Sequence, residues 1–447
     1  MPSKPKTTLI QNAQVVNEGN IAQLDLLLEN GFIAQVASKI NTRADVVIDA
    51  SGKYLLPGLI DDQVHFREPG LTHKATIETE SRAALAGGIT TFFEMPNTQP
   101  QTTSQTMLND KLEIARRTSW ANYGFMFGGT NDNLEALLAV DGKQVPGIKL
   151  FLGSSTGNML VDSPEVLKKI FSNTALPISV HCEDEQMVQT NLSKHISKYG
   201  EDIPMACHPI IRSEEACYKS SSSAIALAKE TGARLHVFHL STARETNLFE
   251  SKPLMQKKIT SEVCIHHLWF SDADYKEKGS LIKWNPAVKT KADREGLWAA
   301  LLDDRIDLIA TDHAPHTLAE KENPYNKAPS GGPMVQHALS VLLECHLQGK
   351  ISLEKVVEKI CHNPAQLFDI DRRGYVREGY FADLVLVDLN APYTVSKDNL
   401  HYKCGWSPLE GETFQAQVTH TFVNGHLAYE NGQFSNQKAS MAVAFKR

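Results

Sequence analysis

The sequence has no Cys-x-x-Cys pair: its seven cysteines (Cys182, Cys207, Cys217, Cys264, Cys345, Cys361 and Cys404) are scattered and odd in number. That pattern opposes a disulfide scaffold and a thiolate zinc site, so a metal here would be held by histidine, carboxylate or something less usual. No apolar run approaches the ~20 residues of a membrane span. The opening MPSKPKTTLIQNAQVV lacks a signal peptide's hydrophobic centre, so the cytoplasm is the expected location. Basic residues are not in excess either. With a net charge of −7 and 22% charged residues, no nucleic acid and no membrane is expected as partner. What is present, 447 residues of which 42% are hydrophobic, suits a large α/β barrel with an accessory domain acting on something small.

Residues 7–53 read as short alternating strands with turns (TLIQNAQVV, LDLLLEN, FIAQVASKI, ADVVIDASG), which is antiparallel material. From Tyr54 the pattern becomes strand-like runs separated by helical stretches such as TIETESRAALAGG, the βα rhythm of a parallel sheet. Eight runs qualify: YLLPGLIDDQVHF, ITTFFEMPN, WANYGFMFGG, VPGIKLFLG, LPISVHCED, RLHVFHLS, ITSEVCIHHLWF and IDLIATDHAPH. After helical segments, β pattern returns in ADLVLVDL, APYTVS and VTHTFVNGHLAYENGQF, with a turn at Asn424 and Gly425. The expected fold is α/β, a (β/α)8 TIM barrel over residues 56–369. The β-rich chain ends, residues 1–55 and 370–447, are expected to pair into a small discontinuous β-sandwich domain. Thr317 to Gly332, polar and rich in Pro and Gly, reads as either an active-site lid or a mobile connector. Ser220 to Ser223 reads as one face of a helix.

Each of the eight runs ends in polar or glycine-rich residues, as strands do when their C-terminal ends form one functional face. In LLPGLIDDQVHFREPG, alternation along the strand sends Gln63, His65 and Arg67 the same way. The strand ends then offer His65, Lys149, His181, His239 and Asp312, from the first, fourth, fifth, sixth and eighth runs. One histidine in an apolar strand is usually a hydrogen-bonded core residue, but five such groups at the same end of different strands are not. Imidazoles and a carboxylate without cysteine suit Zn²⁺ or a similar divalent ion. Lys149 taken alone reads as a snorkelling lysine; beside a divalent cation it would have to lose its proton or change chemically.

These residues, with EMPNT at 94–98, GIKLF at 147–151, VHCED at 180–184, CIHHL at 264–268 and ATDHAPH at 310–316, resemble the amidohydrolase superfamily and, within it, the dihydroorotases of the longer bacterial class. The resemblance implies a hydrolase that interconverts dihydroorotate and N-carbamoyl-aspartate in pyrimidine biosynthesis. It implies one or two zinc ions bridged by a carboxylated Lys149, with His181 and His239 on one ion and His65 and Asp312 on the other. Asp312 is then the catalytic proton carrier, and Arg67, Asn97, Asn285, His316 and His267 are the substrate-binding residues. Taken alone, Asn97 and Asn285 beside prolines read as turn-makers, and His266 and His313 as structural residues. The resemblance also makes a homodimer plausible. The relatives allantoinase and hydantoinase, and a catalytically silent subunit scaffolding aspartate transcarbamoylase, are the alternatives. This chain departs from the family pattern in two places. Gln63-x-His65 stands where the pattern has His-x-His, and NPAVK at Asn285 to Lys289 stands where a second proline and an arginine are usual. An amide oxygen is a poorer zinc ligand than imidazole, so the first metal site is the doubtful one.

Overall fold

In a computed structural model that describes residues 7–153 and 159–447, the apolar runs form a closed ring of parallel strands. They are β1 (Leu59–Val64), β2 (Ile89–Glu94), β3 (Asn122–Phe125, continued by Phe127–Gly128), β4 (Ile148–Phe151), β5 (Ile178–His181), β6 (Leu235–Val237), β7 (Ile259–Cys264) and β8 (Leu308–Ala310). The two halves of β3, separated only by Met126, pair one with β2 and the other with β4. Beyond β8, a parallel bridge from His313 to Val64 and a 2.7 Å bond from His65 N to His313 O close the ring. This is the (β/α)8 barrel that the eight runs foretell.

Helices fill the intervals with the capping their sequences provide. Ile77–Ala86, for example, starts at a Thr76–Thr79 capping box and stops at Gly87. The run Ser220 to Ser223 lies within the helix Glu214–Thr231. Among the described residues, no helix is long and apolar enough to cross a membrane.

The chain ends pair into one separate, mainly antiparallel sheet, in which Tyr54–Pro57 lies beside Leu384–Asp388 and the latter beside Gln417–Val423. The long strand Thr7–Asn17 forks. Its first half runs parallel to Val46–Asp49 and its second half to Tyr54–Leu55, while Asn20–Glu29 pairs along its other edge. The fork lies at a bulge where Asn12, at φ 62°, turns its N–H to Asp25 Oδ1 at 2.9 Å. Ile10, Leu26 and Leu28 from one part of the sheet and Leu55, Leu384 and Phe422 from the other share one apolar cluster.

Not all of residues 370–447 stay with that sheet. Tyr402 packs on His313, and Trp406 Nε1 donates to His316 O at 2.8 Å. Phe445 joins Phe93, Phe238 and Leu308 in a cluster of barrel residues. The 1–55 segment is described only from Thr7 onward.

Candidate active site

A cavity of about 240 Å³ opens at the C-terminal ends of the barrel strands. Its wall brings together Gln63, His65 and Arg67 after and within β1, Asn97 after β2, Lys149 on β4, His181 on β5, His239 after β6, Asn285 after β7, and Asp312 and His316 after β8. Nine of the ten residues nominated from the sequence therefore meet. The exception is His267, which is buried against His266 and bonds the Pro286 carbonyl at 3.1 Å, behind Asn285 rather than on the wall.

The donor atoms fall into two pairs. His65 Nδ1 donates to Asn97 Oδ1 at 2.8 Å, which leaves the Nε2 lone pair facing Asp312 Oδ1 at 3.2 Å. His181 Nε2 donates to Glu183 Oε2 at 2.9 Å, which leaves Nδ1 facing His239 Nε2 at 3.0 Å. Burial lowers the pKa of all three imidazoles, His239 well below the ordinary value, so they are neutral and able to act as ligands.

Between these pairs Lys149, 1% exposed, has no hydrogen-bond partner at Nζ and lies 4.1 Å from the Phe238 ring centroid and 4.8 Å from that of Phe151. Burial, opposed by Glu262 and Asp312, brings its pKa down to about 7, within reach of the neutral amine. Imidazole nitrogens and a carboxylate around an orphaned buried amine are a donor set that fits divalent cations. Gln63 contributes less. Its Oε1 accepts a weak bond from the Cys264 thiol at 3.6 Å.

Positive charge gathers at another part of the wall. Arg67 Nε donates to Pro315 O at 3.0 Å, and its terminal nitrogen lies 3.0 Å from His316 Nε2. Lys74 Nζ lies 3.0 Å from His316 Nδ1. Burial, then Arg67, Lys74 and Lys321, hold His316 well below its ordinary pKa, so it stays neutral beside the Arg67 guanidinium.

The segment 317–332 forms part of the wall through Pro329, Ser330 and Gly331. Two buried lysines tie it down. Lys321 Nζ donates to the carbonyls of Pro329 (2.9 Å) and Gly331 (2.8 Å), and Lys283 Nζ to those of Tyr325 (2.7 Å) and Ala328 (2.5 Å). Gly331, at φ 123°, leaves no room for a Cβ, which would lie 2.5 Å from Ala314 O.

Glu183 and Arg212, which forms a salt bridge with it, had no place in the sequence reading. A signal for Glu183 is present in the sequence, because carrying the alternation of the LPISVHCED run two residues past His181 puts it on the same face. Arg212 arrives from a distant loop and leaves no such trace. His313 is structural as expected, bonded to Glu80 at 2.9 Å, and His266 stacks on Trp284 at 4.3 Å.

The sequence matches the amidohydrolase family over residues 54–428. It is 33% identical to the dihydroorotase of Methanosarcina acetivorans over 416 residues, covering 90% of this chain and 88% of that one. It is 30% identical to the allantoinase of Desulfitobacterium hafniense strain Y51 over 437 residues, covering 96% of each. In structure it is similar to the L-hydantoinase (dihydropyrimidinase) of Arthrobacter aurescens, with TM-score 0.93 and 26% identity over 98% of this chain and 99% of that one.

Proposed function

The chain belongs to the amidohydrolase family, and from that premise we propose that this hydrolase is a metal-dependent dihydroorotase, opening the dihydroorotate ring to N-carbamoyl-aspartate and closing it again. The observation that carries this reading is the Arg67–His316 pair in the same cavity as the two ligand pairs. A guanidinium facing a small cavity calls for a carboxylate, which its planar fork can hold through two bonds. Of the cyclic amides opened by the relatives above, dihydroorotate carries a carboxylate on its ring. Hydantoin and allantoin do not.

His181 and His239 would hold one divalent ion, His65 and Asp312 another, and a carboxylated Lys149 would lie between them. Zinc is the proposed metal. When bound, such ions acidify the attacking water and polarise the amide carbonyl. The chain's own groups do the rest. Arg67 and His316 anchor the ring by its carboxylate, and Asn285 closes the wall beside them. Asn97 is committed to His65, so its part is to fix the tautomer of that imidazole. Asp312, whose carboxylate faces the cavity at φ 45°, takes the proton of the attacking water and returns it to the leaving ring nitrogen.

The test is a substrate comparison with zinc-loaded protein. Faster opening of hydantoin or allantoin than of dihydroorotate would overturn the assignment. A hydantoinase-like activity is the second reading, favoured by the fold match. A homodimer and association with aspartate transcarbamoylase, from the resemblance, and a cytoplasmic location, from the sequence, are further proposals.

A further inference from the structure

Behind the cavity wall lies a second group of metal-type donors that the proposed reaction does not use. Asp62 on β1, His236 on β6 and Glu262 on β7 each have 0% exposure, and none lines the cavity. One donor atom from each lies within 4.8 Å of the other two. His236 Nε2 is 3.1 Å from Glu262 Oε2 and 3.6 Å from Asp62 Oδ2. β1 is not a hydrogen-bonded neighbour of β6 or β7, so the three meet across the barrel.

The hydrogen bonding fixes His236 Nδ1 as a donor to Thr260. Thr260 Oγ1 donates to Leu235 O at 3.2 Å, so it must accept from His236 Nδ1–H at 2.9 Å. In the neutral ring, Nε2 then carries a lone pair aimed at two carboxylates. Neither oxygen of Asp62 accepts a hydrogen bond, although both are buried. Lone pairs converging in a dry interior repel unless a cation or added protons lie among them. Bonds of about 2.0–2.2 Å to a tetrahedral ion place ligand atoms about 3.3–3.6 Å apart, close to the 3.1 and 3.6 Å found here. The Nδ1–H to Thr260 bond is the outer hydrogen bond that a metal-bound imidazole needs.

We propose that Asp62, His236 and Glu262 form a separate structural site for a divalent cation of the zinc type, beneath the catalytic cavity. Two carboxylates balance its charge. Glu262 Oε1 also accepts from His239 N at 3.3 Å, so the ion would help to hold the backbone of a cavity residue at φ 40°.

The test uses the full chain purified from zinc-supplemented medium. Metal analysis is expected to find one ion per chain fewer in Asp62→Asn than in the wild type. In wild-type crystals measured at the zinc edge, an anomalous peak is expected among Asp62, His236 and Glu262. An unchanged metal count in Asp62→Asn, or a map with peaks only beside His65–Asp312 and His181–His239, overturns the proposal and leaves shared protons holding the cluster. Should Asp62→Asn fail to fold, the wild-type map decides alone.

Discussion

Glu183 is where the geometry makes its sharpest demand. Its Oε2 accepts from His181 Nε2 at 2.9 Å and pairs with the Arg212 guanidinium, and the residue is 0% exposed. Burial works against its charge, but Arg212 and His181 outweigh it and bring the carboxyl down to about 2, so Glu183 is an anion at any working pH. That anion keeps the His181 proton on Nε2 and the lone pair on Nδ1, toward His239. Glu183→Gln can keep both bonds through its amide oxygen, with its NH2 in the place of Oε1, which has no partner. It therefore removes charge alone. Glu183→Ala removes the acceptor and frees the tautomer. Partners of metal-bound histidines are worth roughly 10–100-fold in metal affinity, so about tenfold weaker zinc binding is expected for the Gln variant and about a hundredfold for the Ala variant, or about 1.4 and 2.7 kcal/mol. Competition against a chromophoric chelator measures this, and excess zinc should restore much of the lost turnover. A folded Glu183→Ala protein that binds zinc within twofold of wild type would refute the reasoning.

Three other outcomes are expected. Arg67→Met should lower kcat/KM for dihydroorotate by roughly 10- to 100-fold, because hydrogen bonds to a charged group contribute ~1.5–3 kcal/mol; equal losses on dihydroorotate and on an uncharged ring would show that Arg67 does not read the carboxylate. Gln63→His should tighten metal binding beside His65 and Asp312, read by calorimetric titration with Zn²⁺, because imidazole is the better zinc ligand; no gain would mean that the Gln63–Cys264 contact, not the missing imidazole, governs this part of the site. For acid stability, burial and then His401 hold His337 at about 3, whereas the unfolded chain takes up this proton near 6.5. Between those values the unfolded state binds the extra proton, so His337 lowers stability by up to ~1.4 kcal/mol per pH unit as the pH falls. His337→Gln should remove that much of the slope in denaturant titrations between pH 6 and 4, and an unchanged slope would contradict the shift.

The barrel was legible because each of its strands is an apolar run ending in polar or glycine-rich residues, and period-two alternation then placed Gln63, His65 and Arg67 in one cavity. Alternation gives a side chain's face but not its partner. It put Asn97 in the cavity, but could not tell that the amide oxygen is committed to His65. It was also silent beyond the strand ends, where His267 bonds the Pro286 carbonyl behind the wall. Tyr393–Thr394, within the APYTVS run, is a strand as expected, but it pairs with Thr413–Phe414 in a separate two-stranded sheet rather than with the chain-end sheet. That this part of the chain also packs on the barrel, through Tyr402 on His313, depends on contacts far apart in sequence.

The backbone explains why the cavity residues can hold their positions. Arg67 (φ 69°), His239 (φ 40°) and Asp312 (φ 45°) all occupy left-handed conformations that cost a non-glycine residue ~1–3 kcal/mol each. Each is held by a contact from a different element: Arg67 Nε donates to Pro315 O at 3.0 Å, His239 N donates to Glu262 Oε1, and Asp312 O accepts from Trp284 Nε1 at 3.2 Å. The proposed anion anchor, a proposed metal-ligand position and the proposed proton carrier are thus each strained locally and fixed by a neighbour. The strained backbone conformations thus coincide with the three cavity positions that the proposed chemistry uses.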